Sequence, residues 1–193
     1  MEQYYAHRAE DGRLQTVGEH LKNTARLAEE FARPLGLELW ARACGLAHDL
    51  GKYSRGFQRR LLEQGPKVDH TTAGAKELAK AGFSLFAYCA AGHHGGLPDG
   101  GSAGDPPETG TLWGRLKRKL EGELEDYRIG LEEVSLPSFA PPPLKPLGAG
   151  GFSAAFLLRM VFSCLVDADF QDTENFMRGE TAPRSWHAAM GGY

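Results

Sequence analysis

The 193-residue sequence has no Cys-x-x-Cys pair, no Gly-x-x-x-x-Gly-Lys-Ser/Thr phosphate loop, no basic excess and no sustained alternation of apolar and polar residues. Each absence removes a class. The three cysteines, Cys44, Cys89 and Cys164, are far apart and embedded in alanine- or leucine-rich helical patterns. They read as reduced core residues, so any metal here must be held by imidazole and carboxylate. A formal net charge of −3 advertises no nucleic-acid partner globally. Two local clusters, Lys52, Arg55, Arg59, Arg60 and Arg115, Lys117, Arg118, Lys119, could still track phosphates or could be solvated helix faces. The longest apolar run, Phe152 to Val166, is interrupted by Ser153, Arg159 and Ser163 and falls short of the ~20 residues of a spanning helix. No basic segment leads into an apolar one at the amino terminus. The expectation is a cytoplasmic protein with no membrane partner. Without alternation or internal repeats, residues 1–193 should form one domain of the all-α class.

What is present is a series of helical patterns with histidines at their edges. Thr16-Val17-Gly18-Glu19 has the capping-box spacing and predicts a helix from Val17 to about Pro34, with Val17, Leu21, Thr24, Ala28 and Phe31 as its stripe and His20 at the stripe's edge. A second helix, Leu37 to Leu50, ends in His48-Asp49, and the small residues at 41, 43, 45 and 47 admit another helix closely. Phe57 to Gln64 reads as a short basic helix. Asp69 caps a third long helix with His70 in its first turn, and the apolar stretch Phe83 to His94 ends in His93-His94-Gly95-Gly96. Leu97 to Gly110 is glycine- and proline-rich, either a gate beside a site or a surface insertion. Thr111 to Arg128 reads as amphipathic, and Ser135 to Gly151 as a proline-glycine connection. The last helix, Phe152 to about Phe170, carries Phe156, Met160, Ser163 and Asp167 at steps of four, three and four, which puts Asp167 on a buried face. Asp169, Asp172 and Glu174 are neighbours that could replace it.

His20, His48, Asp49, His70, His93, His94 and Asp167 are too many ligands for one ion and suit two. Asp49 has two oxygens to share. The division that follows places His20, His48 and Asp167 at one ion and His70, His93 and His94 at the other, with Asp49 between them. Two ions ~3.5–4 Å apart neutralise both the attacking and the leaving oxygens of a phosphodiester during in-line hydrolysis. Nitrogen-rich coordination favours Mn²⁺, Fe²⁺, Co²⁺, Ni²⁺ or Zn²⁺ over Mg²⁺. Lys52 could reach a non-bridging phosphate oxygen or position water; alternatively it is a solvated cap on the helix end. His7 and His187 lie in irregular ends and receive no role.

His48-Asp49 with flanking helices resembles the HD superfamily of metal-dependent phosphohydrolases, a helical fold with its metal site between the central helices. The order His20-Leu21, His48-Asp49-Leu50-Gly51-Lys52, His70, His93-His94-Gly95-Gly96 and Ser163-Cys164-Leu165-Val166-Asp167-Ala168-Asp169 with Asp172-Thr173-Glu174 is similar to the HD nuclease domain of the CRISPR type I interference helicase-nuclease. That resemblance implies a metal-dependent endonuclease, with exonuclease action as well, cutting single-stranded DNA exposed by a guide-RNA surveillance complex. It implies the same ligand division, with Lys52 assisting, and an ATP-driven helicase, which must lie on another chain or in a longer protein because no phosphate loop occurs here. Arg55, Arg59 and Arg115 would line the DNA groove. The other reading, an HD phosphohydrolase acting on a small nucleotide, uses the same ions in a closed pocket. A non-enzymatic, degenerate domain is the third.

Overall fold

The structure is a computed structural model and describes residues 3–120, 127–136 and 150–179. The chain opens with a short antiparallel hairpin, β1 (Tyr5–Arg8) and β2 (Leu14–Thr16), where irregular chain was expected. Strands this short, with a register irregularity between Tyr5 and His7, leave no readable alternation. β2 runs straight into α1 (Val17–Ala32). The predicted capping box is formed: the Thr16 hydroxyl accepts from the Glu19 N–H (3.2 Å) and the Glu19 carboxylate from the Thr16 N–H (3.0 Å). The remaining elements are helical: α2 (Glu38–Ala47), α3 (Arg55–Glu63), α4 (Thr71–Lys80), α5 (Ser84–Gly92), α6 (Leu112–Lys117), α7 (Ile129–Val134) and α8 (Gly150–Arg178). The fold is mostly helical, as the sequence predicts.

α1 packs against α2 and α8, and α5 against α4 and α8, so five helices share one core. Leu21, Leu50, Leu78, Phe86, Val161 and Leu165 are fully buried between them. The small residues of α2 do what their size allows: a Cβ on Gly45 would sit 2.5 Å from Ala25 Cα of α1. On the other side Gly74 of α4 lies directly over the Ala47 carbonyl, and Gly51 over the His70 backbone. These approaches set the distance between the chain segments that carry His48, Asp49 and His70. Gly74→Ala is therefore expected to destabilise the fold by at least the upper part of the ~1–3 kcal/mol typical of overpacking, because the obstructing atom is backbone. Gly110→Ala, where nothing lies within 4 Å of the added carbon, should stay within about 0.5 kcal/mol. Urea unfolding of the two variants beside the parent checks this.

Three expected elements differ. α2 stops at Ala47: Asp49 leaves helical geometry (φ −114°, ψ 22°), and a 3₁₀ turn, Leu50–Tyr53, follows. The helix expected over 111–128 ends at Lys117, because Arg118 turns extended (φ −54°, ψ 132°) to donate to the carbonyls of Pro107 and Thr109 and to Asp69. Residues 121–126, and most of the connection expected over 135–151, lie outside the described residues. In α8 the face proposed from Phe156, Met160, Ser163 and Asp167 is not the buried one. Leu158, Val161, Leu165, Ala168 and Asp172 are buried, while Phe156 and Asp167 are exposed. The run is apolar nearly all round, so its periodicity does not select a face. By length and composition Gly151–Arg178 could also cross a bilayer. Its inner face, however, is packed on α1, α2 and α5 and carries Asp169 and Asp172 toward the histidines.

Candidate metal centre

The histidines sit where helices end, so their side chains can converge as parallel positions on continuing helices could not. His20 comes from the first turn of α1, on its buried face; His48 and Asp49 from the turn after α2; His93 and His94 from the turn after α5. His70 is the residue immediately before α4, not within its first turn. The Asp69 carboxylate caps that helix, accepting from the N–H groups of Thr71 (3.1 Å) and Thr72 (3.2 Å).

Asp49 lies at the middle, fully buried, and its two oxygens face different groups. Oδ2 is 3.3 Å from His20 Nε2 and 3.4 Å from His48 Nε2. Oδ1 is 3.2 Å from His93 Nε2 and 3.4 Å from His70 Nε2, whose own Nε2 is 2.9 Å from His94 Nε2. The result is two four-residue sets that share Asp49: His20, His48, Asp49 and Asp169; and Asp49, His70, His93 and His94. Within each set the donor atoms lie within 4.8 Å of one another.

The carboxylate from α8 is Asp169, not Asp167. Asp169 Oδ1 lies 3.3 Å from His20 Nε2 and 3.6 Å from His48 Nε2, while Asp167 is exposed on the opposite side of the helix. Asp169 falls one turn after buried Leu165 and two after Val161, the face that packs inward. The stripe Leu158, Val161, Leu165, Ala168, Asp172 was present in the sequence and would have pointed to it.

Hydrogen bonds behind the ligands fix which nitrogen faces the centre. His48 Nδ1–H donates to the Gly45 carbonyl (2.9 Å), His93 Nδ1–H to the Ala90 carbonyl (2.8 Å) and His20 Nδ1–H to Asp172 Oδ2 (2.7 Å). A carbonyl can only accept, so Nδ1 carries a proton and Nε2 faces inward, where the neutral ring would present its lone pair, the arrangement of metal-ligating histidines. The Nε2 atoms of His20, His48 and His93 and Oδ1 of Asp49 are buried with no hydrogen bond, and Asp49 Oδ2 has its ion pair with Lys52 and no hydrogen bond. Buried polar atoms left unpaired are costly. An inward-facing set of imidazole and carboxylate donors with this shortfall fits divalent metal ions, which His20, His48, Asp49, His70, His93, His94 and Asp169 would hold.

The hairpin missed in the sequence braces this centre. Gln15 Nε2 donates to Asp172 Oδ2 (2.8 Å), supporting the carboxylate behind His20. The Arg13 guanidinium donates to the carbonyls of Phe176 (2.7 Å) and Met177 (3.2 Å), near the end of α8. His7 packs edge-on against His20, ring centroids 4.6 Å apart. Nothing local in the sequence marks these residues, because their partners are distant in the chain.

Electrostatics split the two groups. Burial opposes charge on His20 and His48. The carboxylates of Asp169, Asp172 and Asp49, which accept from the protonated ring, override it at His20, carrying its pKa to about 9; the charge of Asp49 and the accepting carboxylate of Asp169 override it at His48, to about 10. Burial also opposes charge on Asp49 and Asp169, but the Lys52 ammonium and the histidines hold Asp49 well below the usual carboxylate range, and His20 and His48 do the same for Asp169. In the other group burial wins: it lowers His70, and with the charge of His93 it takes His94 to about 4. One group is thus a neutralised ion-pair cluster in the absence of metal, and the other offers neutral imidazole at His70 and His94.

Lys52 is not a solvated cap. It is 4% exposed, and its Nζ lies 2.7 Å from Asp49 Oδ2. Arg115 lines a cleft of about 670 Å³ with Lys67, His70, His94 and Gly95 among its walls. The same guanidinium donates to the Ala91 carbonyl (2.8 Å) and the Thr71 hydroxyl (3.1 Å), tying the end of α5 to the start of α4. Arg55 and Arg59 are elsewhere, in a separate depression with Gln3, Tyr4 and Glu63, because α3 turns its basic face away from the histidines. The glycine-rich loop is tied to α6 by Lys117, which donates to the Asp105 carbonyl (2.6 Å).

A search of curated proteins returns no match. The profile of the HD domain matches residues 17–126, more than half of the chain, and that span includes His20, His48, Asp49, His70, His93 and His94; Asp169 and the hairpin residues His7 and Gln15 fall outside it. With the His-Asp pair at the centre of a helical fold and two donor groups suited to divalent ions, the chain belongs to the HD-domain family of metal-dependent phosphohydrolases.

Proposed function

We propose that this HD domain is a two-ion nuclease that hydrolyses phosphodiester bonds of single-stranded DNA in CRISPR type I interference. It would act in the cytoplasm beside a surveillance complex, with the helicase on another chain or domain. The observation that carries the reading is the division of Asp49: one carboxylate oxygen for each of two histidine groups. Two divalent ions bound there would supply Lewis acidity toward the scissile phosphate and lower the pKa of the attacking water.

The chain's own residues do the rest. Asp49 offers both groups negative charge. Asp172 and the carbonyls of Gly45 and Ala90 hold the imidazoles in the ligating tautomer. Lys52 presents a cation beside Asp49, placed to meet a non-bridging phosphate oxygen. The cleft at His70 and His94 reaches the surface, since His94 is exposed, and Arg115 and Lys67 line it with positive charge. An open, basic approach of this kind suits a continuing strand, where a free nucleotide would be served by a closed pocket.

The test is metal-stripped protein incubated with circular single-stranded DNA and Mn²⁺, Fe²⁺, Co²⁺, Ni²⁺, Zn²⁺ or Mg²⁺ in turn. Linearisation followed by degradation, restored by ions that prefer nitrogen ligands, is the expected result. Phosphate release from free nucleotides with the circle intact would replace this reading with that of a small-nucleotide phosphohydrolase. An intact circle and intact nucleotides with every ion would leave a metal-binding domain without hydrolase activity.

A further inference from the structure

Besides the Phe57 ring, 5.6 Å from its Nζ, Lys52 faces the Asp49 carboxylate and a polar partner from outside the span that defines the family. His7 Nε2, on β1, lies 3.2 Å from Lys52 Nζ and 3.5 Å from the Thr173 hydroxyl of α8. An ammonium has only hydrogens to offer, so Nε2 is the acceptor and His7 carries its proton on Nδ1. The spacing between β1 and Lys52 is set by one side chain. Gln58 of α3 accepts from the Tyr5 N–H (2.9 Å) and donates to both the Tyr5 carbonyl (2.9 Å) and the Lys52 carbonyl (2.7 Å). Edge contact with His20 fixes the ring's remaining freedom.

Its Nζ is held between the Asp49 carboxylate (ion pair, 2.7 Å), the His7 acceptor (3.2 Å) and the Phe57 ring (5.6 Å to the centroid), which fixes the direction of Lys52. A flexible four-carbon stem with a single acceptor could swing its charge toward the ions or away from them; with two acceptors on different elements it cannot. We infer that His7 is a positioning residue that aims Lys52 at the substrate phosphate, and that the hairpin is a working part of the centre as well as a brace. The role rests on the hydrolase reading, since it gives Lys52 a phosphate to meet.

The test uses the full chain as parent, His7→Leu, His7→Gln, Lys52→Ala and the His7→Leu/Lys52→Ala double variant. Glutamine can return an acceptor near the position of Nε2; leucine cannot. With a labelled single-stranded oligonucleotide and Mn²⁺, His7→Leu should lower kcat by about tenfold to a hundredfold, with KM within about twofold and the Mn²⁺ content unchanged. His7→Gln should recover most of the loss, and His7→Leu should add nothing in the Lys52→Ala background. An undiminished His7 effect in that background, or a loss that tracks missing metal, overturns the inference. A second readout does not need activity: in metal-free protein, acetylation of Lys52 followed by peptide mass spectrometry should quicken several-fold in His7→Leu and stay at the parental rate in His7→Gln. Unchanged acetylation in His7→Leu overturns the placement. Faster acetylation in His7→Leu, with a parent that cleaves nothing, would instead overturn the hydrolase reading and leave the His7–Lys52 pairing standing.

Discussion

Asp49→Asn is expected to lose both metal ions and more than about 10³-fold in phosphodiester hydrolysis, since Lewis-acid stabilisation is worth several kcal/mol and each 1.36 kcal/mol is tenfold. The size of the effect comes from position. Oδ2 faces His20 and His48, and Oδ1 faces His93 and His70, so one carboxylate serves both groups. An amide keeps the shape but loses the charge and one of the two acceptors. His48→Ala or His70→Ala removes a ligand from a single group and should first lower the content of one ion. Asparagine is the better variant than alanine, because Asp49 is also the buried partner of the Lys52 ammonium. Deleting the side chain would strand a buried cation at a cost of about 3–5 kcal/mol, and loss of folding would then mimic loss of metal. Metal content by elemental analysis, with urea unfolding to show that Asp49→Asn is folded, separates the two. Retention of either ion at full occupancy would remove Asp49 from its bridging position.

The parts of this centre that were legible in the sequence are local ones. Thr16 and Glu19 are three residues apart and satisfy each other, so the start of α1 could be read directly. His48-Asp49 and His93-His94 announce themselves because they interrupt apolar patterns at helix ends, next to glycines. The partition of ligands followed from counting donors, and the structure brings those residues together in the same two groups, apart from the α8 carboxylate. What could not be read depends on pairing across the chain. Gln15 meets Asp172 and His7 meets Lys52 across 157 and 45 residues of sequence, and neither strand is long enough to show a period of two. The sequence offered Lys52 both as a group for the phosphate and as a solvated cap, and could not decide between them, because the 3₁₀ turn that buries it is set by the approach of His70 over Gly51 and not by its own sequence. Arg55 and Arg59 show the opposite case: they sit close to the motif in sequence, but α3 carries them to a depression separate from the histidines.

The α8 carboxylate offers the sharpest second prediction, because two aspartates two residues apart should behave oppositely. Asp169→Asn is expected to lose one ion of the two and about 10²–10³-fold in kcat, the scale of removing one preorganised electrostatic contact in a buried site. Asp167→Asn should be near neutral, within about 0.5 kcal/mol in stability, like other exposed surface changes. The reasoning is geometric. Positions 165, 168, 169 and 172 share the inward face of α8, where Leu165 and Ala168 are fully buried and Asp172 supports His20; position 167 lies about 200° around the axis from 165 and faces outward. Losing the Asp169 charge should be felt first at His20 and His48, whose hydrogen bonds to it favour their protonated forms, so these histidines should titrate at lower pH in metal-free Asp169→Asn. The group of His70, His93 and His94 should keep its ion. Elemental analysis beside a ¹⁵N-histidine titration of the metal-free variants reads both consequences at once. If Asp167→Asn lost the ion and Asp169→Asn did not, α8 would have to be rotated by half a turn, and the packing of Val161, Leu165 and Ala168 against α1, α2 and α5 would fall with it.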